Sequence, residues 1–261
     1  MLLSLTGKCA IVCGASQGIG RAVAMELASL GAEVILVARN REKLHHLLAE
    51  LPAPERQSHS CIELDLTDHE AVRESLLTLA YANPVHILIN NSGGPPPGTA
   101  ADASPEEFAN AIHGHLMAYQ MFVQTLLPGM KAEGYGRIVN ILSTSVIQPL
   151  RGLGVSNTLR AAMANWGRTL AAELGSFGIT VNNVLPGMIR TERLESLFKH
   201  RAEAAATTVE AIEKINLQAI PASRFGKPEE IAAAVAFLAS PAASYVNGVS
   251  LPVDGGRLAC Q

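Results

Sequence analysis

The stretch Cys9-Ala10-Ile11-Val12-Cys13-Gly14-Ala15-Ser16-Gln17-Gly18-Ile19-Gly20-Arg21-Ala22-Val23-Ala24-Met25-Glu26-Leu27-Ala28 decides the fold. An apolar run at 9–12 reads as a buried strand, and residues 21–28 carry apolar side chains at helical period. Between them lie three glycines spaced G-x-x-x-G-x-G. Strand, glycine turn and helix in that order let the backbone approach a ligand closely and leave the first helical N–H groups free for a pyrophosphate. The implied ligand is a dinucleotide. A glycine pattern alone also fits a tight βα turn with nothing bound, so the flanking chain must decide.

Working outward, 33–38 is a second apolar strand that closes a βαβ unit. At its end stand Ala38, Arg39, Asn40 and Arg41, where an adenosine ribose should lie. An acid there would accept from the ribose 2′-OH. Ala38 supplies none, and the two arginines carry guanidinium forks suited to a 2′-phosphate, so NADP(H) is expected over NAD(H). The alternative is that Arg39 and Arg41 are solvated residues at a helix start. The third strand, 61–64, ends at Asp65-Leu66-Thr67-Asp68, where Asp65 is placed to meet an adenine amino group or simply to make a turn. Thr67 or Asp68 is the candidate N-cap of the next helix. The fourth strand, 85–89, runs into Asn90-Asn91-Ser92-Gly93-Gly94, small residues beside the expected crevice, and Pro95-Pro96-Pro97-Gly98 stiffens the exit.

These residues resemble the short-chain dehydrogenase/reductase family over 6–256, with a likeness to its 3-oxoacyl-ACP-reductase-like members. The carriers of the likeness are Gly14-x-x-x-Gly18-x-Gly20, Asp65, Asn90-Asn91-Ser92-Gly93 (the family usually has Ala where Ser92 stands) and Pro186-Gly187-Met188-Ile189-Arg190-Thr191. The resemblance implies an α/β fold: one doubly wound Rossmann domain over 1–261, with a seven-stranded parallel sheet in order 3-2-1-4-5-6-7 flanked by helices. It implies cofactor contacts in the glycine turn at Gly14, Ser16, Gln17, Gly18, Ile19 and Gly20, and at the adenosine end at Arg39, Asn40, Asp65 and Leu66. At the nicotinamide end it implies contacts from Asn91, Ser92, Gly93, Arg160, Pro186, Gly187, Ile189 and Thr191. A mobile substrate lid is expected at about 190–222, and a homo-oligomer, usually a tetramer.

The family's catalytic pattern breaks here. A Ser after the fifth strand is ordinarily followed thirteen residues later by Tyr and four later again by Lys, with an Asn on the preceding helix. Ser143 matches the Ser, but the count places Ser156 and Arg160 at the Tyr and Lys positions, and His115 at the Asn position. An aliphatic hydroxyl is a far weaker acid than a phenol, and a guanidinium keeps its own proton, so Ser156 and Arg160 cannot reproduce the Tyr–Lys acid. Arg160 can still donate hydrogen bonds to a developing oxyanion. His115, with an ordinary pKa of about 6.5, is the sharp candidate for an acid, and Tyr119 lies one helical turn beyond it. Alternatively His115 fills the volume of the Asn and bonds backbone, and Tyr119 packs in the core. Both residues, with His113, fall on a helix expected over 105–130.

Arg151, Arg160, Arg190 and Arg193 are expected near the substrate end, where paired guanidiniums suit a carboxylate or phosphate. The helix expected over 152–175 carries Ala161, Ala162, Ala164, Ala171 and Ala172, a small-residue face that suits a subunit seam.

Composition bounds the remainder. The 261 residues are 48% hydrophobic and 16% charged with a net charge of −3, so the core is large and no basic stripe offers itself to nucleic acid. Cys9, Cys13, Cys61 and Cys260 lack metal-ligand spacing, and no metal is expected. Residues 1–8 are too short for a signal segment, and no run approaches the roughly 18 apolar residues of a membrane span, so a cytoplasmic protein without membrane contact is expected. Two functions fit: an NADPH-dependent reductase of a carbonyl or conjugated enone, or a catalytically silent NADP(H)-binding homologue serving as sensor or structural subunit.

Overall fold

A computed structural model of the chain describes residues 2–82 and 84–260. Seven parallel strands form one sheet in the order β3-β2-β1-β4-β5-β6-β7. They are β1 (Cys9–Cys13), β2 (Glu33–Ala38), β3 (Ser60–Glu63), β4 (Ile87–Asn90), β5 (Gly136–Ile141), β6 (Ile179–Pro186) and β7 (Ser250–Val253). Sequence order reverses between β1 and β4, which pair directly. In such a sheet the crevice opens there, beyond the carboxyl ends of the strands.

Because both faces are covered, β1, β2 and β4 are apolar on both sides, and alternate residues serve different cores. Ala10 and Val12 pack with α1 (Gly18–Ser29), α2 (Arg41–Glu50) and α9 (Pro228–Ala239), through residues such as Leu27, Leu44 and Val235. Cys9, Ile11 and Cys13 face α3 (His69–Ala82), α5 (Ala118–Ala132) and α6 (Gly154–Leu174), through Leu76, Phe122 and Met163. The Cys9 and Cys13 thiols are pushed up to about 12 by burial and are packing groups. The Cys260 side chain lies outside the described residues.

Polar residues inside the sheet are joined across it. Asn90 donates to Asn140 Oδ1 (2.8 Å), Asn140 to Asn183 Oδ1 (2.9 Å), and Asn183 to Ser250 Oγ (3.1 Å). The register puts each of these residues opposite the next. Gly167 of α6 lies on this ladder, since a Cβ there would come within 2.9 Å of the Asn140 and Asn183 amides. An orphaned amide at such depth costs about 1–3 kcal/mol, so the ladder locks four strands in register where the crevice begins.

One expected helix is divided, and the expected lid is itself helical. The helix expected over 105–130 is α4 (Pro105–Ile112), a π-helical turn (His113–Met117) and then α5. Helical apolar period runs through all three, which conceals the extra residue the π turn accommodates. The residues at 190–222 form two helices, α7 (Glu192–Ala204) and α8 (Val209–Gln218), N-capped by Thr191 and Thr208. They enclose a small core of their own from Leu194, Phe198, Ile220 and Phe225. Of the two candidate caps before α3, Asp68 is the one that accepts from the Ala71 N–H, at 3.0 Å.

Candidate active site

Two adjoining cavities of about 860 and 980 Å³ lie at the carboxyl ends of the strands and share Gly14, Gln17, Ser92 and Gly93. Every cofactor contact expected from the sequence lines one or both. The second cavity takes Ser16 of the glycine turn and the adenosine-end set, Arg39, Asn40, Asp65 and Leu66. The first takes Gly18, Ile19, Gly20, Asn91, Arg160, Pro186, Gly187, Ile189 and Thr191.

The glycine turn is held by close backbone approach. Gly14 and Gly18 have φ of +60° and +55°, and Asn91 Nδ2 donates to the carbonyls of Cys13 and Gly14, both at 3.2 Å. The N-cap of α1, Gln17, makes no side-chain capping bond, and the first turn holds no acid. By contrast Asn40 caps α2 by accepting from the Lys43 N–H at 2.9 Å. The open N–H groups and positive end of the α1 dipole fit a pyrophosphate, and an added Cβ at Gly93 would meet nothing within 4 Å, so the crevice is free along that wall.

At the adenosine end Asp65 both makes the turn and faces the cavity. Its Oδ1 accepts from the backbone N–H (2.9 Å) and hydroxyl (2.8 Å) of Thr67, and the backbone bond holds its carboxyl below the usual range. Its Oδ2 is 3.9 Å from Arg39 Nη1, whose side chain is 78% exposed. Lys43 also lines this cavity, donating to Gln17 Oε1 (2.7 Å) and pairing with Glu192 of α7 at 3.7 Å. Sequence reading missed Lys43, because its reach across the turn needs the fold.

The four catalytic candidates divide between the cavities. Ser143, Ser156 and Arg160 line the first together. Ser143 Oγ accepts from the Ser145 N–H (3.1 Å) and fixes the turn after β5. Ser156 has no hydrogen-bond partner among the described residues. Arg160, 6% exposed, donates Nη1 to the Ile141 carbonyl at 3.0 Å, and its other N–H groups have no protein acceptor among the described residues. Burial, then Arg193, pushes its pKa down to about 10 against the opposing pull of Tyr119, so it is a cation at neutral pH.

His115 lines the second cavity only, in the π turn. Its Nδ1 lies 2.9 Å from the Ala111 carbonyl and its Nε2 2.7 Å from the Gly93 carbonyl. Neutral imidazole has one N–H, so it donates to one of these and turns a lone pair to the other. Burial first, then Arg160, holds its pKa below 6.5, against the two carbonyl contacts. Both ring nitrogens are thus committed to backbone, and His115 does not share the cavity of Ser143, Ser156 and Arg160. Tyr119 is fully buried, its hydroxyl beside Ser92, and burial pushes its pKa up.

The arginines sort differently from the sequence expectation. Arg151 and Arg193 line the first cavity, with the Arg193 guanidinium close to where a Cβ on Gly94 would stand. Arg190 does not: it pairs with Glu213 at 3.5 Å and stacks over Phe225 at 5.1 Å. Arg201 and Arg257, which sequence reading missed, take its place in the lining. The chain ends that bring Arg257 there leave no local signal. On α6, Ala164 and Ala171 face the core, whereas Ala161, Ala162 and Ala172 are exposed.

Known proteins match this arrangement over almost the whole chain. The family model described as enoyl-(acyl carrier protein) reductase matches residues 14–257. The 3-oxoacyl-[acyl-carrier-protein] reductase FabG of Pseudomonas aeruginosa is 34% identical over 258 residues, covering 97% of this chain and 98% of that protein. L-sorbose reductase of Gluconobacter frateurii, solved with NADPH and L-sorbose, superposes with a TM-score of 0.90 at 30% identity, covering 99% of each chain. YwfH, an NADPH-dependent reductase involved in bacilysin biosynthesis, superposes at 0.89 with 28% identity, covering 96% of this chain and 98% of that one. By sequence, strand order and the residues that close its crevice, the chain belongs to the short-chain dehydrogenase/reductase family of oxidoreductases.

Proposed function

We propose that the chain reduces a conjugated enone with NADPH, that Arg160 stabilises the enolate oxygen, and that no side chain serves as the acid. The enzyme is an NADP(H)-dependent oxidoreductase. The observation that carries the finer reading is the chemistry around Arg160. The described residues lining its cavity offer guanidiniums, aliphatic hydroxyls and one carboxylate, Glu192, which pairs with Lys43. The family's Tyr and Lys are replaced by Ser156 and Arg160, and the histidine that could stand in for them is bonded to backbone in the neighbouring cavity.

NADPH, when bound, supplies a hydride. What the chain supplies is stabilisation of the negative charge that the substrate oxygen acquires. Arg160 is anchored on Ile141 and keeps several N–H donors for that oxygen, and Ser143 and Ser156 add hydroxyl donors. A saturated ketone yields an alkoxide that needs a proton at once. An enone yields an enolate, whose charge is delocalised and whose α-carbon takes its proton from solvent. General acid catalysis is worth about 10² to 10⁴ in rate, so an acid-free site favours the enone. The kcat/KM for 2-cyclohexen-1-one should therefore exceed that for cyclohexanone by about 10² or more, read from NADPH absorbance. Equal values would remove the reading.

The same proposal assigns the 2′-phosphate to Arg39, with Lys43 beside it, because Ala38 offers no acid to a ribose hydroxyl. Calorimetry should give NADPH an affinity about tenfold above NADH, or about 1.4 kcal/mol. Arg39→Ala should remove most of that difference and leave NADH binding unchanged; equal loss of both would refute the assignment. Segment 190–222 serves in this reading as the lid: Arg193 lies against Gly94, and Glu192 reaches Lys43 across the crevice. Assembly as a homo-tetramer through the exposed alanines of α6, visible in light scattering, completes the proposal.

A further inference from the structure

Arg201 and Arg257 approach the first cavity from opposite ends of the lid and chain. Arg201 comes from α7, and Arg257 opens a short 3-10 turn, Arg257–Cys260. The turn is built to present Arg257. Gly255 and Gly256 hold φ of +67° and +85°, and the Gly255 carbonyl accepts from the Ala222 N–H at 3.0 Å, tying the turn to the end of the lid. Asp254 is occupied in making it: Oδ1 accepts from the Gly256 N–H and Oδ2 from the Leu258 N–H, each at 2.9 Å.

Three of the five acids on the lid have basic neighbours other than Arg201 and Arg257: Glu192 has Lys43, Glu203 has His200 and Glu213 has Arg190. Among the described residues neither Arg201 nor Arg257 has an ion pair or a side-chain hydrogen bond. Two like charges therefore line one cavity, both half-buried. Burial first and Arg257 second hold the Arg201 pKa below the ordinary guanidinium value. Unpaired cations in such a place are costly unless an anion completes them, and two guanidinium forks match an anion with two or more equivalent oxygens.

We propose that Arg201 and Arg257 form an anion subsite that orients the substrate by a carboxylate or phosphate group distinct from its reacting carbonyl. The inference rests on the reductase reading only for the identity of the occupant as substrate.

The test separates the two. With the enzyme saturated in NADP+, glutarate and inorganic phosphate are titrated calorimetrically into the wild type and into Arg201→Gln/Arg257→Gln. Binding of one anion should weaken by about tenfold or more in the double variant, with thermal stability unchanged, and Arg201→Lys/Arg257→Lys should recover part of it. Tighter glutarate binding identifies a carboxylate as the occupant, and tighter phosphate binding a phosphate. If neither anion binds the wild type more tightly than the Gln variant, the subsite is refuted. The kinetic arm compares neutral 2-cyclohexen-1-one with its anionic analogue, 4-oxo-2-cyclohexene-1-carboxylate. In the Gln variant KM for the anionic enone should rise about tenfold, with its kcat and the kinetics of the neutral enone unchanged. An anion effect in calorimetry without turnover of either enone would leave the subsite standing and overturn the reductase reading instead.

Discussion

Gly20→Ala should abolish dinucleotide binding. A Cβ at position 20 would stand 2.1 Å from the Gly14 carbonyl oxygen, 2.7 Å from its carbon and 2.8 Å from Asn91 Nδ2. Two of those atoms are backbone of the turn itself, and the third belongs to the side chain that pins the turn to β4, so no flexible group can yield. The expected loss in NADPH affinity is at least about 100-fold, or about 2.7 kcal/mol. Gly18→Ala is the comparison: its Cβ would meet Thr191 at 3.4 Å, an ordinary contact, and its cost is that of a positive φ, about 1–2 kcal/mol. Fluorescence titration and circular dichroism distinguish lost binding from lost folding. A Gly20→Ala variant that binds NADPH within tenfold of the wild type would contradict this packing.

Arg160→Ala should lower kcat for 2-cyclohexen-1-one by about 10² to 10³, the usual cost of one oxyanion donor, whereas His115→Asn should change it by less than about tenfold. The pH profile follows from the same groups. A lowered His115 pKa means a neutral imidazole at pH 7, so an enzyme using it as acid would lose rate as pH rises through a value below 6.5. An Arg160 cation with its pKa near 10 is fully charged below that value and lost above it. The rate should accordingly be flat from pH 7 to 9 and fall as pH rises through about 10. A falling limb below pH 6.5 that disappears in His115→Asn would return the acid role to the histidine.

The sequence carries the frame of this molecule plainly and its site only in part, for physical reasons. Apolar runs and the glycine turn mark the first four strands within one or two residues, since a two-faced parallel sheet admits little else at those positions. The lining residues that sit at strand ends are equally legible, because the strand ends are marked. Contacts set by three-dimensional register are not. Asn90 reads as part of the run beside the crevice and Asn140 and Asn183 as isolated polar residues in strands, and only the register joins the three. Counting along the chain places His115, but the carbonyls of Gly93 and Ala111 that take its two nitrogens come from a loop and from the last turn of α4, brought to the ring by a π turn with no signature. Arg190 and Arg193 are three residues apart, yet one stacks on Phe225 outside the cavity and the other lines it, a difference made by the cap at Thr191. Arg257 reaches the site only because the C-terminal turn is tied to the end of the lid.

The product formed from 2-cyclohexen-1-one and NADPH, identified by gas chromatography with mass spectrometry, distinguishes conjugate reduction from carbonyl reduction. Stabilisation of an enolate by Arg160, with solvent protonating carbon, gives cyclohexanone, carrying one deuterium at the α-carbon when the reaction is run in D2O. Formation of 2-cyclohexen-1-ol instead would mean that the carbonyl itself is reduced and its oxygen protonated, and would contradict the account.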